Sequence, residues 1–146
     1  EQRDILADTM RQRGLALRWD VPPGLRAMAD PQLLRSVLSN LLGNAADYAD
    51  QGTWVALAAR RENGRVLLTL SNPARDLRPG DTERMFEPFW RRDEARSDPG
   101  NHAGMGLTVV QQALAAMGGR IAADLGQSDG QAAVLTFTVQ LRAADA

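Results

Sequence analysis

The sequence contains no cysteine, and all 17 of its basic residues are arginine, so lysine is absent as well. Without cysteine, the chain has no disulfide framework, no thiolate nucleophile and no cysteine-based zinc site. The absence of lysine excludes the glycine-rich phosphate loop that ends in Gly-Lys-Ser/Thr. Any phosphate chemistry must therefore proceed without a lysine ammonium group.

Strong net charge and long apolar runs are also missing. A formal net charge of -1 at pH 7 gives no field that would concentrate the protein on nucleic acid or anionic lipid. No apolar run approaches the roughly 20 residues that span a bilayer, and the first four residues do not form a signal peptide. We expect no nucleic-acid partner and no direct membrane contact, and a reducing, cytoplasmic setting fits the lack of cysteine.

The apolar content, 44% of 146 residues, suffices for one substantial core but not for two ordinary domains. Helical periodicity predicts helices in the first dozen residues, after the capping pair Asp30-Pro31, and from about Leu107. Apolar runs predict strands at residues 15–21, 53–61, 65–71, 120–125 and 132–141, with Asn63-Gly64 as a hairpin turn. The chain is expected to form a single α+β domain, residues 1–146. Its architecture would be a two-layer α/β sandwich, with helices on one face of a mixed, mostly antiparallel sheet.

The strongest predicted helix carries a polar stripe. Asn40 and Asn44 are four residues apart and share one face, which Asp47 and Tyr48 extend by another turn. An asparagine carbonyl is a hard, neutral oxygen donor that suits Mg²⁺, which takes few protein ligands beside nucleotide phosphates. These positions are therefore candidates for a metal site, and the alternative is that both asparagines simply face solvent.

The residues from 72 to 104 break the regular pattern, and a loop of that length is usually functional or disordered. At its end, Gly104-Met105-Gly106 precedes a helix start, where unpaired N–H groups and the helix dipole favour phosphate. A flexible connector is the alternative explanation of this Gly-x-Gly. The loop also contains aromatic and basic side chains, namely Phe86, Phe89, Trp90, Arg91, Arg92 and Arg96. These side chains form either a satellite core with a solvated face or a lid whose cations neutralise phosphate.

Three segments follow one another in an order that resembles the catalytic domain of sensor histidine kinases. Residues 30–34 together with 40–45 resemble the asparagine box, residues 85–93 the phenylalanine box, and residues 104–107 the end of the second glycine box. The resemblance covers most of the chain between residues 30 and 119.

The resemblance implies the Bergerat-type fold shared with gyrase, heat-shock chaperone and mismatch-repair ATPases, which binds Mg-ATP under a lid, here at about residues 92–103. It implies that Asn44 holds Mg²⁺, that Asn40 contacts the metal or the phosphates, and that Tyr48 lies against the adenine. The residues expected around ATP are Asn40, Asn44, Asp47, Tyr48, Asn72, Ala74, Phe89, Arg92, Arg96, Gly104, Met105, Gly106 and Leu107.

Some positions depart from the family pattern. The first glycine box, usually Asp-x-Gly-x-Gly, is replaced by residues 72–76, so Asn72 and Ala74 stand where an aspartate and a glycine are usual. Asp47 stands where the family often has lysine or arginine, and His102 stands at the first glycine of the second box. We expect these changes to affect nucleotide affinity more than the fold.

The resemblance also separates phosphate transfer from hydrolysis. Hydrolytic relatives place a glutamate base four residues before the metal asparagine, and here that residue is Asn40, whose amide cannot accept a proton from water. Transfer to a protein histidine is therefore expected, with Asn40 and Asn44 as catalytic residues. The single histidine, His102, lacks a neighbouring acid, so the acceptor is expected in a dimerisation domain upstream of Glu1.

The resemblance implies further partners. These are a response regulator and a second copy of the full-length protein, which would be a homodimeric bacterial inner-membrane sensor kinase with this chain in the cytoplasm. A degenerate nucleotide-binding module that signals by protein contact, and an ATPase of the same fold, remain the alternatives.

Overall fold

The structure, a computed structural model, describes residues 2–49, 52–75, 77–87, 106–126 and 133–144. Its helices are α1 (Gln2–Gln12), α2 (Pro31–Tyr48), α3 (Asp81–Arg84) and α4 (Gly106–Ala116). Its strands are β1 (Ala16–Asp20), β2 (Trp54–Glu62), β3 (Arg65–Pro73), β4 (Arg120–Gly126) and β5 (Val134–Arg142). Within these ranges, no helix is long and apolar enough to cross a membrane.

The strands form one five-stranded sheet in the order β1-β2-β3-β5-β4. Strand β1 runs parallel to β2, whereas β2 with β3, β3 with β5 and β4 with β5 pair antiparallel. The sheet is therefore mixed and mostly antiparallel, and the predicted fold class is confirmed.

The two faces of the sheet differ because side chains alternate along each strand. In β5, the buried positions are Leu135, Phe137, Val139 and Leu141. They belong to one core cluster with apolar residues of α2 and α4, so this face carries the helices. The intervening positions are only half-buried; among them Thr136 forms a hydroxyl pair with Ser71 of β3, 3.0 Å between the oxygens.

Helix α2 begins as the capping pair predicts. The Asp30 carboxylate accepts hydrogen bonds from the backbone N–H groups of Gln32, at 2.8 Å, and Leu33, at 3.1 Å. Proline occupies the first turn, where its missing N–H needs no partner. The buried residues of α2 are Val37, Leu41, Leu42 and Ala45, and the helix packs against α4 and β3.

The predicted hairpin between β2 and β3 is confirmed. Asn63 and Gly64 both have positive φ, 53° and 75°, and the flanking residues Glu62 and Arg65 pair across the turn. These angles are the ones that a two-residue turn of this kind requires.

The sequence predicted irregular structure from residue 72 onward, and this prediction is wrong for residues 72 and 73. Strand β3 continues through Asn72 to Pro73, which pair with Leu135 and Val134 of β5. Proline is tolerated there because it ends the strand and removes only one ladder donor. Further on, α3 forms a short helix whose Asp81 carboxylate accepts from the backbone N–H of Arg78 at 2.9 Å.

Candidate functional site

The predicted site residues that the structure describes come from three elements. Helix α2 carries Asn40 and Asn44, the end of β3 carries Asn72, and α4 begins at Gly106. Because α2 packs against both α4 and β3, these elements are neighbours although they are far apart in sequence. The fold therefore places the asparagine box, the altered first glycine box and the end of the second glycine box on adjoining elements.

Asn44 is half-buried on α2, and its amide is incompletely hydrogen bonded. Its Nδ2 atom is inaccessible to solvent and has no partner among the described residues. With the nitrogen enclosed in this way, Oδ1 is the atom of the amide that can meet a ligand. A neutral oxygen at that position fits Mg²⁺.

Asn40 uses its amide donor within its own helix. Its Nδ2 donates to the Ser36 carbonyl at 2.7 Å and lies 3.4 Å from the Ser36 hydroxyl oxygen. This bond fixes the amide, so that Oδ1 is the group left to act on a ligand. The side chain can therefore accept a hydrogen bond or approach a cation, but it cannot act as a general base.

Asn72 is a polar side chain inside the core, with 0% of its surface exposed. Its Nδ2 donates to the Pro73 carbonyl at 3.0 Å, whereas Oδ1 has no hydrogen-bond partner in the described part of the chain. The donated bond orients the amide and leaves a buried acceptor. An unsatisfied buried acceptor costs about 1–3 kcal/mol, which a ligand that donates a hydrogen bond would recover.

Ala74 follows directly and is also fully buried. Its backbone N–H donates to the Ala133 carbonyl at 2.8 Å and its carbonyl accepts from Leu77 at 3.2 Å. Both backbone groups are therefore engaged in the fold, and the methyl group is packed in the core cluster.

Asp47 and Tyr48 complete the end of α2. The Asp47 carboxylate pairs with the guanidinium of Arg13, from the turn after α1, at 3.4 Å. Tyr48 is half-buried and packs against the apolar core. Asp47 thus introduces no unpaired negative charge, even though the family often places a cation there.

The start of α4 supplies Gly106 and Leu107, the predicted phosphate-binding residues that lie inside the described ranges. Leu107 is buried in the core cluster and Gly106 is half-buried. The next residue, Thr108, donates from its hydroxyl to the Phe86 carbonyl at 3.1 Å. The first turn of α4 is therefore held from both the core and the phenylalanine box.

Five predicted site residues, Phe89, Arg92, Arg96, Gly104 and Met105, lie outside the described residues. The predicted lid at residues 92–103 lies outside them too.

Sequence reasoning missed three contacts at the site: Ser36 with Asn40, Arg13 with Asp47, and Thr108 with Phe86. Only the first has a sequence signal, the four-residue helical spacing. The other two join residues 34 and 22 positions apart, which no local pattern reveals.

The donor set at the site is neutral. Within the described ranges, no group of three or more histidine, cysteine, aspartate or glutamate residues could hold a metal ion. An ion bound here would meet amide oxygens, which suits Mg²⁺ that keeps several waters and shares the phosphates of a nucleotide. The residues present therefore fit Mg²⁺ brought by a nucleotide better than an ion held by protein alone.

Comparison with known proteins identifies the family. A family model described as histidine kinase-, DNA gyrase B-, and HSP90-like ATPase matches residues 29–143. The sensor-like histidine kinase SenX3 of Mycobacterium tuberculosis is 35% identical over 107 residues, which are 73% of this chain and 26% of that protein. The sensor histidine kinase CusS of Escherichia coli strain K12 is 31% identical over 119 residues, 82% of this chain and 25% of that protein.

Solved structures show the same fold. The mycobacterial sensor histidine kinase MprB superposes with a TM-score of 0.81 at 24% identity, covering 98% of this chain and 94% of that one. Full-length ShkA, solved in complex with AMPPNP, superposes with a TM-score of 0.73 at 30% identity over 98% of this chain and 29% of that one.

The present chain spans about a quarter of the length of the curated relatives it matches. The resemblance to the catalytic domain of sensor histidine kinases is confirmed by these matches. The chain belongs to the family of histidine kinase-, DNA gyrase B- and HSP90-like ATPases.

Proposed function

We propose that this chain binds Mg-ATP and transfers the γ-phosphoryl group to a histidine on a separate dimerisation and phosphoacceptor domain. The observation that carries the proposal is a pair of buried amide atoms that have no hydrogen-bond partner in the described part of the chain. Among the described residues, the buried side-chain nitrogen and oxygen atoms without a partner are Asn44 Nδ2 and Asn72 Oδ1. Both belong to boxes that the family uses to bind nucleotide, and buried polar groups left unpaired in a native fold call for a reason.

The amide of Asn44 is proposed to hold Mg²⁺ through Oδ1. The ion supplies charge neutralisation to the phosphates when it is bound. Asn40 is proposed to act beside it through its own oxygen, because its nitrogen is already bonded to Ser36. A free oxygen suits the metal or a water on the metal, and it does not suit a phosphate oxygen, since both would be acceptors.

Asn72 is proposed to read the adenine amino group. Its Oδ1 is an acceptor without a partner, and the Nδ2 bond to Pro73 keeps the amide from turning its donor toward the base. Adenine offers a donor at its amino group, whereas guanine presents a carbonyl acceptor there. A fixed acceptor therefore favours ATP over GTP, although a neutral acceptor does so less strongly than the aspartate usual in the family.

Transfer is favoured over hydrolysis by the residue at position 40. A water nucleophile needs a base to remove its proton, and the Asn40 amide has no basic group. Phosphoryl transfer depends mainly on positioning and charge neutralisation, which a cradle of neutral amides and backbone N–H groups can provide. The named relatives, both called histidine kinases, support the same choice.

The partners belong to the same proposal. The acceptor is the protein's own dimerisation domain, and a response regulator receives the phosphoryl group next. Dimerisation of the full-length protein and a cytoplasmic position beneath a bacterial inner-membrane sensor are proposed from the relatives, whose length this chain covers only in part.

One experiment separates the proposal from its alternatives. Purified chain is titrated with ATP, with and without Mg²⁺, by calorimetry, and is then incubated with labelled ATP and the separately produced acceptor domain. Magnesium-dependent binding followed by label on the acceptor is expected. Binding without transfer favours a degenerate nucleotide-binding module, and release of phosphate without an acceptor favours an ATPase.

A further inference from the structure

A hydrogen bond joins the two described segments that lie on either side of residues 88–105 in the sequence. The Thr108 hydroxyl donates to the Phe86 carbonyl at 3.1 Å, and the bond is partly buried. Thr108 lies in the first turn of α4, two residues after Gly106. A threonine hydroxyl in a helix commonly bonds back to its own helix, so this contact with a distant segment is a feature of the tertiary structure.

Phe86 is itself fixed to the sheet. Its ring meets that of Phe137 in β5 edge-to-face, with centroids 6.4 Å apart and planes at 86°. Phe137 has 0% of its surface exposed, and Met85, the residue before Phe86, is buried as well. Phe86 is therefore partly buried and packed against the core, which holds its carbonyl acceptor in place.

A hydrogen bond at the first turn of α4 would help to fix the orientation of that turn. Its backbone N–H groups have no partner within the helix, and in the proposed function they bind the phosphates. Leu107 and Val110 attach one side of α4 to the core, but apolar contacts resist sliding and rotation less sharply than a hydrogen bond, which depends on angle. The Thr108 bond adds that directional restraint where the helix begins.

We propose that Thr108 is a positioning residue for nucleotide phosphates: through Phe86, it holds the first turn of α4 in the orientation that binds them. This inference rests on the proposed function, because it takes the start of α4 as the phosphate-binding end. Thr108 itself need not touch the nucleotide. Its effect is preorganisation, which improves affinity by lowering the ordering that binding demands.

The test compares ligands with and without phosphates on three variants. Thr108→Val removes the hydroxyl at nearly constant shape, and Thr108→Ser keeps it. Thr138→Val makes the same change in β5, on the opposite face from its buried neighbours Phe137 and Val139. Binding of ATP, ADP and adenosine is followed by NMR titration, and thermal unfolding of each variant is recorded.

Thr108→Val is expected to lower the affinity for ATP and for ADP by about three- to tenfold, which is the equilibrium effect of one net hydrogen bond. The affinity for adenosine is expected to stay unchanged. Thr108→Ser is expected to restore most of the affinity, and Thr138→Val to change none of it. Unchanged ATP affinity in Thr108→Val overturns the inference while the proposed function stands. The inference is also overturned if Thr108→Val lowers the affinities for ATP and adenosine equally and lowers the melting temperature, because that result indicates a structural role. Failure of the unaltered chain to bind ATP overturns the proposed function, and this inference with it.

Discussion

Asn44 and Asn72 each keep one buried amide atom unpaired, on different elements of the same fold. A buried group without a partner costs about 1–3 kcal/mol, so two of them lower the stability of the free chain by an amount that matters beside a typical folding free energy. Side chains selected for stability alone would be apolar at these positions. Their chemistry is better explained by a ligand than by folding.

Asn44→Ala is expected to abolish magnesium-dependent ATP binding without lowering the free energy of unfolding. The substitution removes the proposed metal ligand, but the amide nitrogen has no hydrogen bond to lose among the described residues. Calorimetric titration with and without Mg²⁺, together with urea unfolding, measures both effects. Ser39→Ala, at an exposed position of the same helix, is the matched control. Undiminished binding by Asn44→Ala would remove this residue from the metal site.

Asn72→Asp is expected to tighten ATP binding and to sharpen the preference for ATP over GTP. A hydrogen bond to a charged acceptor is worth roughly 1.5–3 kcal/mol, against about 1 kcal/mol for a neutral one. The free variant should at the same time be less stable, because the carboxylate loses the bond to Pro73 and is buried as a charge. Ligand binding should therefore raise its melting temperature more than that of the unaltered chain.

The comparison of ATP with GTP on both proteins decides the role of Asn72. A general change in pocket shape would alter the two affinities alike, whereas a base-reading acceptor alters their ratio. If neither affinity changes, Asn72 is only a strand residue before Pro73 and does not belong to the site.

At the scale of the elements, the turn between α4 and β4 has no room for a side chain at Gly119. A Cβ added at Gly119 would lie 2.6 Å from the Gln140 carbonyl oxygen and 2.9 Å from a Leu141 methyl group, both in β5. Since the first of these atoms is backbone, the strand and the turn would have to separate. Gly119 therefore sets how closely α4 and β4 approach β5.

Gly119→Ala is expected to destabilise the fold by about 1–3 kcal/mol, the usual cost of overpacking a close contact. Gly126→Ala is the matched control, because a Cβ at that position meets nothing within 4 Å. Neither glycine has a positive φ, so backbone strain does not distinguish them. Urea unfolding of both variants provides the comparison, and equal stability would show that the turn accommodates the methyl group by a small shift.

The elements that the sequence predicted well are those whose signals are local. The Asp30 cap, the Asn63-Gly64 turn and the apolar run that predicts β5 each depend on a few neighbouring residues, and all three are confirmed. The end of β3 could not be predicted, because Pro73 is typical of a loop and only pairing with β5 makes it part of a strand. Tertiary pairing overrides local propensity there.

Within the site, the sequence indicated residues but not the groups that hold them. Asn40, Asn44 and Asn72 stood out through the boxes, whereas the burial of Asn72 depends on the strands and helices packed around it. The pairing of Asp47 with Arg13 is equally invisible in the sequence, since 34 residues separate them. The substitution of a cation by Asp47 indicated a loss of positive charge, and the structure shows in addition that the carboxylate is paired.

For the molecule as a whole, the sheet carries α2 and α4 on one face, and the proposed site residues lie on α2, at the start of α4 and at the end of β3, with α2 packed against both other elements. The proposed acceptor histidine belongs to a segment outside this chain, which covers about a quarter of the relatives' length. Binding and chemistry can therefore be separated experimentally: the chain should bind nucleotide alone and transfer phosphate only when an acceptor is supplied.

The chain alone, incubated with labelled Mg-ATP, is expected to gain no phosphohistidine. Its one histidine, His102, has no neighbouring acid in the sequence to assist an attacking imidazole. Label should appear on the acceptor domain when it is added, and His102→Ala should transfer label to that domain as well as the unaltered chain does. Electrophoresis under conditions that preserve acid-labile phosphate detects either product, with Asn44→Ala as the inactive control. If the unaltered chain becomes labelled when it is incubated alone and the His102→Ala variant does not, the assignment is contradicted. That result would identify His102 as an acceptor in its own right.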